Sequence, residues 1–508
     1  MQQSALPYKY EAEKNESGLT ALGGLPVYLD LASVAGLRGA LTKHLGVRRG
    51  TQGWDDSQMV TALILVNLAG GECVEDMETI EADDGFCRVI RRVEHHDLPR
   101  HERRAIEKRW RKEKKRTLPS ASSVFRYLYK FHDQKQEEFR REGTAFIPAA
   151  NEHLRGFARV NRDLLSFLQL NRPRSTATLD MDATLVETSK KAAFWGYKGY
   201  RCYQPLNTWW AEQEVLVHTE FRDGNVPAGY EQQRVFAEAL ACLPEGIEQV
   251  RLRSDTAGYQ HDLLRYCEQG ENERFGRIEF AIGCDVTAAF KKAVAEVPED
   301  RWQPLHRLSN GLMEESDTEW AEVCFVPNAM GFGKNSPVYR YLAKRTRLVE
   351  QTTLPGCEKQ AKLPFPHMEM KKKHYKVFGV VSNMVDWSGE RLLHWHHERC
   401  GKSEEAHAVM KNDLAGGKMP SGYFGANAAW WWIMILALNL NSMMKALALG
   451  AEWQPKRLKA IRFHLINLPG RVLEHARVLW VRLSTKCSGL ELLQQIRGNI
   501  GWLHPSPA

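Results

Sequence analysis

The chain has 508 residues, of which 43% are hydrophobic, and its 70 basic residues exceed its 62 acidic ones by 8. This apolar content excludes a disordered chain, and the length predicts two or three domains. The ten cysteines include no Cys-x-x-Cys pair. Scattered thiols of this kind are typical of a reducing cytoplasm rather than of a disulfide framework or a zinc finger.

Residues 1–170 are predicted to form a mainly helical, basic, DNA-binding region. An apolar helix is expected over 57–66, and serines near 120 can cap another. Residues 91–116 hold 12 Lys or Arg against 5 Asp or Glu, a composition that neutralises DNA phosphates but also fits a solvated helix face. The DNA contacts expected in this run are Arg103, Arg104, Lys108 and Arg109.

Two carboxylates mark a predicted buried strand over 176–186. Asp180 and Asp182 are two residues apart, so they point to the same face of a strand. Acids in an apolar strand require a basic side chain or a metal ion beside them, and oxygen ligands suit Mg²⁺ or Mn²⁺. The alternative is a pair of solvated acids at a strand end.

Another acid, Asp255, ends a predicted strand over 249–255 and precedes a predicted helix over 261–268. Side chains at the carboxyl ends of neighbouring strands converge in α/β sheets, which would bring Asp255 to the first two acids. Capping of the following helix is an equally good interpretation of this residue alone.

A third acidic position lies in the segment 398–411. Ser403 can cap a helix whose first turn contains Glu404 and Glu405. Glu404, His407 and Lys411 would share one face of that helix. A plain solvated helix start would look much the same.

In combination, these motifs resemble those of DDE-type insertion-sequence transposases, and most closely the insertion-sequence 1380 family. The order is Asp-x-Thr, then Arg-x-Asp-x-x-Gly-Tyr, then Arg followed by Glu-x6-Lys. Further similar segments are 67–76, 199–206, 222–226, 382–383 and 424–428, so that the likeness covers roughly residues 40–485. His396 stands where the family has a tyrosine, which leaves the role of that position open.

The resemblance implies an RNase H-like α/β core in which three carboxylates hold two Mg²⁺ or Mn²⁺ ions for attack on a DNA phosphodiester. By position, the catalytic metal ligands are Asp182, Asp255 and Glu404, with Asp180 and Glu405 as alternates. The implied activity is cleavage and strand transfer at the terminal inverted repeats of a mobile element, by a cut-and-paste route.

The predicted domain organisation places this core on both sides of an insertion. The core would comprise 171–300 and 376–450, the latter carrying the Glu helix, with a β-rich insertion over 301–375 and a basic helical region over 451–508. The insertion resembles one that contacts transposon ends in related transposases. The DNA contacts expected downstream of the second acid are Arg340, Arg345, Arg399 and Lys411.

The expected partner is double-stranded DNA, bound by a homodimer, in a bacterial cytoplasm. No signal peptide is expected at the start, and the apolar run 428–438 is too short to span a bilayer. Two alternatives stay open. Asp180 and Asp182 also match the first motif of haloacid-dehalogenase-like phosphotransferases, although no paired acid follows Asp285. A non-catalytic DNA-binding relative would keep only the basic surfaces.

Overall fold

The structure is a computed structural model that describes most of the chain. The described residues are 15–48, 53–96, 99–109, 116–309, 312–327, 339–348, 365–371, 373–476, 478–484, 486–487 and 489–506, with the backbone alone at 105–109, 308–309 and 312–313. They divide into two compact units. Unit 1 comprises 1–133, 150–167 and 409–508, and unit 2 comprises 134–149 and 168–408.

The described residues form helices in both units. In chain order they are α1 (Pro26–Val34), α2 (Leu37–His44), α3 (Asp56–Ala69), α4 (Met77–Glu81), α5 (Asp84–Glu94), α6 (Arg100–Arg109), α7 (Ala121–Tyr129), α8 (Gln134–Glu137), α9 (Glu152–Asn171), α10 (Gln232–Cys242), α11 (His261–Gln269), α12 (Ala288–Ala295), α13 (Gly389–His397), α14 (Lys402–Ala408), α15 (Phe424–Met444), α16 (Leu458–Ile461) and α17 (Gly489–Gly501).

The strands lie mainly in unit 2. In chain order they are β1 (Leu19–Thr20), β2 (Thr176–Ala183), β3 (Val186–Glu187), β4 (Cys202–Tyr203), β5 (Leu206–Trp210), β6 (Val215–Glu220), β7 (Gln249–Ser254), β8 (Glu279–Cys284), β9 (Gln303–Ser309), β10 (Leu312–Val323), β11 (Arg340–Arg347), β12 (His367–Met370), β13 (Lys373–Ser382), β14 (Gly470–His475) and β15 (Val478–Leu483).

Unit 2 is built around one mixed sheet. The strand order is β6-β5-β2-β7-β8-β13-β11-β10-β9, with β12 paired to β13. Strands β6, β5 and β2 are antiparallel, whereas β2, β7 and β8 run parallel. Because β2 and β7 are parallel, their carboxyl ends lie at the same edge, as expected for Asp182 and Asp255. The chain is therefore a mixed α/β protein with a large mixed sheet.

Unit 1 is mainly helical and is centred on α15. All but one of the residues of α15 are buried, including three consecutive tryptophans, Trp430 to Trp432. The continuous apolar segment Phe424–Leu449 has the length and composition of a membrane span, but 83% of its most apolar window is buried inside the protein. This segment is longer than the apolar run 428–438 that was identified in the sequence. Because most of it is buried inside the protein, it has the character of a core helix.

Local sequence determines where α3, another long helix of this unit, begins and ends. The Asp55 side chain accepts a hydrogen bond from the Gln58 amide at 2.8 Å, and the Gln58 side chain accepts one from the Asp55 amide at 3.0 Å. This capping box starts α3. Gly70, with a φ of 106°, ends it in a left-handed conformation that glycine adopts without strain.

Two predictions of secondary structure require correction. The tail over 456–482 was expected to be helical, but β14 and β15 form an antiparallel hairpin there that also pairs with β1. In addition, the α-helical register is not continued past Ala408, because a π-helical turn covers Val409–Asp413. Lys411 lies in this wider turn, so the shared helix face expected for Glu404 and Lys411 is not formed by a continuous α-helix.

The five predicted domains and the two compact units have different boundaries. Residues 134–149 of the predicted N-terminal region belong to unit 2, and 451–508 belongs to unit 1 together with 1–133. The region predicted as 376–450 is divided between them, because unit 2 ends at Ala408 and unit 1 resumes at Val409. The region predicted as a β-rich insertion contains β9 to β12, which extend the central sheet, and part of it lies outside the described residues. The functional boundaries themselves stay a prediction.

Candidate active site

The pairing of β2 with β7 positions the first two predicted ligands. Met181 pairs with Ser254 in parallel register, so Asp182 and Asp255 are the next residues on two adjacent strands. Adjacent strands lie about 4.8 Å apart. Two acids that are far apart in the sequence are therefore brought side by side at one edge of the sheet.

Asp180 has a different environment from Asp182. Its carboxylate is 2% exposed and accepts two hydrogen bonds from the guanidinium of Arg253, at 2.6 and 2.9 Å. Asp180 and Arg253 are also paired residues of the two strands. The charge of Asp180 is thus compensated by an arginine, which is one of the two compensators that the sequence required.

Arg253 links this ion pair to the helix α13. Its guanidinium donates to the carbonyl oxygen of Trp395 at 2.7 Å and to the carboxylate of Glu398 at 3.1 Å. The guanidinium carbon also lies 5.1 Å from the centroid of the Trp395 ring. These contacts fix the end of α13, and hence the start of the segment that leads to Glu404, against the strand that carries Asp255.

The Asp182 carboxylate is partly exposed and has an arginine and a histidine as neighbours. The Nη2 atom of Arg399 lies 3.6 Å from its Oδ2 atom, and the Nδ1 atom of His407 lies 4.0 Å from the same oxygen. Burial raises the pKa of Asp182 to about 7; the charges of Asp255 and Glu404 also raise it, and Arg399 opposes them. The three predicted ligands therefore influence one another electrostatically.

Asp255 both caps a turn and belongs to this group of acids. Its Oδ1 atom accepts a hydrogen bond from the Ala257 amide at 3.0 Å, at the start of the turn Thr256–Gly258. Gly283 of β8 packs against the same turn, where an added Cβ would lie 3.1 Å from the Thr256 amide nitrogen and 3.3 Å from the Asp255 carbonyl carbon. Asp255 therefore caps this turn and not the helix α11, whose N-terminal cap position is Gln260. The turn-capping contact coexists with proximity to Asp182.

Glu404 lies in the first turn of α14 and accepts a hydrogen bond from the Gly401 amide. It is exposed, as is Glu405. The negative charge of Glu404 contributes to the raised pKa of Asp182, and its role as the third acid stays a prediction.

His396 makes a contact that the sequence did not predict. Its Nε2 atom lies 3.0 Å from the carbonyl oxygen of Ser254, the residue before Asp255. Burial lowers the pKa of His396 to about 3, so the ring is neutral and its Nε2–H donates to this carbonyl. The sequence drew attention to His396 because it stands where the family has a tyrosine. Its contact with the end of β7 could not be predicted from the sequence, because it depends on tertiary packing.

The structure revises several predicted DNA contacts. Arg345 is buried between Trp302 and Tyr375, with its guanidinium carbon 4.0 and 4.8 Å from their ring centroids, and it pairs with Glu299 and Glu319. This packing corrects the prediction that Arg345 contacts phosphate. It is a core residue of the extended sheet.

Arg340 and Arg399 are also engaged within the protein. Arg340 donates to the carbonyl oxygens of Met384 and Trp387 and pairs with Glu322, whereas Arg399 is largely buried beside Asp182. By contrast, Arg103 and Arg104 are exposed on α6. The side chains of Lys108 and Arg109 lie outside the described residues, as do residues 110–115 of the basic run.

The described residues contain no group of three or more His, Cys, Asp or Glu side chains gathered closely enough to hold a metal ion. Asp255 and Glu404 each accept a hydrogen bond from a backbone amide. The donor chemistry nevertheless fits a hard divalent cation. The charges of Asp255 and Glu404 both act on Asp182, and a cation would relieve the repulsion that contributes to the raised pKa of Asp182.

Comparisons with known proteins bear on the whole chain. A family model described as transposase DDE domain group 1 matches residues 8–504. Among solved structures, the cryo-EM structure of the piggyBac transposase synaptic complex with hairpin DNA is similar over 97% of this chain and 88% of that chain, with 9% sequence identity and a TM-score of 0.44. A comparison with curated protein sequences gave no match.

Proposed function

Because the chain belongs to the transposase DDE domain group 1 family, we propose that it binds the terminal inverted repeats of an insertion sequence and catalyses cut-and-paste strand cleavage and transfer. The proposed acids are Asp182, Asp255 and Glu404. The partner is double-stranded DNA bound by a homodimer in a bacterial cytoplasm, and the branch is the insertion-sequence 1380 family.

The observation that carries this proposal is the register of β2 and β7. It puts Asp182 beside Asp255, while the charge of Glu404 reaches the same carboxylate. The strand order β6-β5-β2-β7-β8, three antiparallel strands followed by two parallel ones, supports the RNase H-like core that the resemblance implies. A non-catalytic relative would have no need to place three acids in mutual repulsion.

The rival phosphotransferase mechanism requires Asp180 to attack a substrate. Both of its oxygens accept hydrogen bonds from Arg253, and the side chain is 2% exposed. A nucleophile must reach the reacting atom, and this carboxylate has no path to one without the loss of a buried ion pair. The role we assign to Asp180 is to position Arg253 and, through it, α13.

Asp182, Asp255 and Glu404 would hold two Mg²⁺ or Mn²⁺ ions, which would supply activation of the attacking oxygen and charge stabilisation on the leaving oxygen. The chain itself contributes the placement of these acids. Arg399 balances the charge of Asp182, and His396 holds the strand end before Asp255. Asp255 and Glu404 would exchange their backbone amide partners for the ions.

Cleavage of DNA that carries the element's own ends tests this assignment. We expect Asp182→Asn, Asp255→Asn and Glu404→Gln each to lower the cleavage rate at least about a hundredfold, because each removes a ligand for ions that stabilise transition-state charge. Binding to the same DNA, measured by fluorescence anisotropy, should change little. A chelator should stop the parent protein in the same way.

The matched control is Glu405→Gln, which alters a neighbouring exposed carboxylate of the same helix turn. It should retain most of the cleavage activity, since adjacent helical positions point about 100° apart. Loss of cleavage in Glu405→Gln with normal cleavage in Glu404→Gln would transfer the third role to Glu405. Normal cleavage in Asp255→Asn would refute the three-acid site itself.

A further inference from the structure

The hairpin that follows Asp182 has an unusual composition at its tip. The short strands β3 and β4 pair through Val186 with Tyr203 and Glu187 with Cys202, and they enclose the segment 188–201. This segment contains four cations, Lys190, Lys191, Lys198 and Arg201, and no acid. We call it the aromatic–basic tip. Its charge favours an anionic partner.

Two large aromatic side chains of the tip are exposed. Trp195 is 49% exposed and Tyr197 is 76% exposed. Each ring has a cation nearby, since the guanidinium carbon of Arg201 lies 5.4 Å from the Trp195 centroid and the Lys198 ammonium lies 5.9 Å from the Tyr197 centroid. Exposed aromatic faces among cations are the features with which proteins stack bases and neutralise the backbone of a nucleic acid strand.

The tip also has buried residues of its own, so the two exposed rings do not belong to an unpacked segment. Ala193 is fully buried, and the Phe194 ring is covered by the guanidinium of Arg140, whose carbon lies 5.0 Å from the ring centroid. Arg140 is itself held by the buried carboxylate of Asp223. The tip therefore buries Ala193, half-buries Phe194 and presents Trp195 and Tyr197 to solvent.

Backbone hydrogen bonds fix this arrangement. The Gly196 amide donates to the Tyr200 carbonyl at 2.9 Å, and the Cys202 amide donates to the Phe194 carbonyl at 3.0 Å. Arg201 also donates from its side chain to the carbonyl of Ala193 at 2.6 Å. A side chain at position 196 would clash with Cys202, because an added Cβ would lie 2.5 Å from its Sγ atom. A preorganised tip loses little conformational entropy when a ligand binds.

The base of the hairpin that carries the tip lies close to the proposed active site along the chain. Strand β3 begins four residues after Asp182, and the Thr184 amide donates to the Pro205 carbonyl at 3.0 Å where the hairpin leaves β2. At about 3.3 Å per residue, Glu187 is at most roughly 17 Å from Asp182. This is a span of a few nucleotides.

From these contacts we propose that Trp195 and Tyr197 stack on unpaired bases of the DNA next to the cleaved phosphodiester. The proposal rests on the proposed function and specifies its substrate: an end whose flanking bases are unpaired, rather than a uniform duplex. The three lysines, Lys190, Lys191 and Lys198, would contact the phosphates of the same strand, while Arg201 holds the tip together.

Two DNA ligands test this proposal. One is a duplex with the element's own end and a fully paired flank, and the other has the same end with an unpaired flank that contains 2-aminopurine. Trp195→Ala should weaken binding to the unpaired-flank DNA about tenfold and leave the fully paired DNA unchanged, because base stacking on an aromatic ring is lost. Trp195→Phe should restore most of the affinity, and the parent should quench 2-aminopurine more than Trp195→Ala does.

The control is Trp502→Ala, which removes a tryptophan that is 88% exposed and lies on neither the hairpin nor the sheet. It should bind both DNAs as the parent does. Equal losses on the two DNAs in Trp195→Ala, or no loss on either, would overturn the stacking proposal. If the parent cleaves its ends while this result is negative, only the stacking proposal fails; if the parent neither binds nor cleaves them, the proposed function fails.

Discussion

Replacement of Asp182 by Asn should stabilise the metal-free protein at alkaline pH while it removes cleavage activity. Asp182 has a pKa raised from the ordinary 3.8 to about 7 by burial, with repulsion from Asp255 and Glu404 adding to it. Between about pH 4 and pH 7 the folded chain therefore holds a proton that the unfolded chain releases. Stability falls as pH rises through this window, and the full cost is present above about pH 7.

The size of the effect follows from the pKa. A rise from 3.8 to about 7 corresponds to ~4 kcal/mol. The Asp182 side chain is 21% exposed, so solvent screening reduces the effect, and we expect a gain of about 2 kcal/mol for Asp182→Asn near pH 8. Asn cannot ionise, so the gain should vanish below about pH 4.

Urea denaturation of parent and variant, without metal and at several pH values, measures this difference. Asp180→Asn is the matched control on the same strand. It removes the buried charged partner of Arg253 and leaves only the exposed Glu398, so it should destabilise the protein by about 3 kcal/mol. A loss of stability in Asp182→Asn near pH 8, or a gain of the same size at every pH, would refute the electrostatic reasoning. Addition of Mg²⁺ should stabilise the parent more than Asp182→Asn.

Three further outcomes can be measured. A variant of helix α6 in which neutral residues replace Arg103, Arg104, Lys108 and Arg109 should bind DNA more weakly. In anisotropy titrations at several salt concentrations, the slope of its salt dependence should fall by about 0.9 for each phosphate that is no longer neutralised. An unchanged slope would mean that these side chains form a solvated helix face. Arg140→Met should cost about 3–5 kcal/mol in urea denaturation because it leaves the buried Asp223 carboxylate unpaired, and a cost below about 1 kcal/mol would contradict this. His396→Phe should slow single-turnover cleavage about tenfold, since the hydrogen bond to the Ser254 carbonyl is removed. His396→Gln should recover part of the rate. Equal rates in the two variants would leave His396 with a packing role only.

The sequence was most informative where a local pattern determines the structure. The strand predicted over 176–186 is observed as Thr176–Ala183, and the strand before Asp255 and the helix after it lie where they were predicted. Alternation of side chains along a strand requires only neighbouring residues, so it can be read without knowledge of the fold. The partner of Asp180 could not be read in this way. The ion pair with Arg253 depends on which strand lies beside β2 and in which register.

The errors have the same origin. The tail was predicted to be helical from its basic residues, yet Val478–Leu483 forms a β-hairpin strand whose residues alternate between exposed and half-buried. Arg345 was assigned to the surface because most arginines lie there. Its neighbours Trp302 and Glu299 come from more than forty residues upstream, so its burial depends on tertiary packing alone.

The close packing of Gly283 against the Asp255 turn has a consequence for how inactive copies of such a gene are recognised. Even a methyl group at position 283 would press on the backbone of that turn. Under the proposed function, a copy with Ala at this position keeps every acid while the turn that carries Asp255 must move by a few tenths of an ångström. We expect such a copy to transpose more slowly without any change in the three-acid motif. Surveys that judge copies of a mobile element by their acids alone would count this one as active.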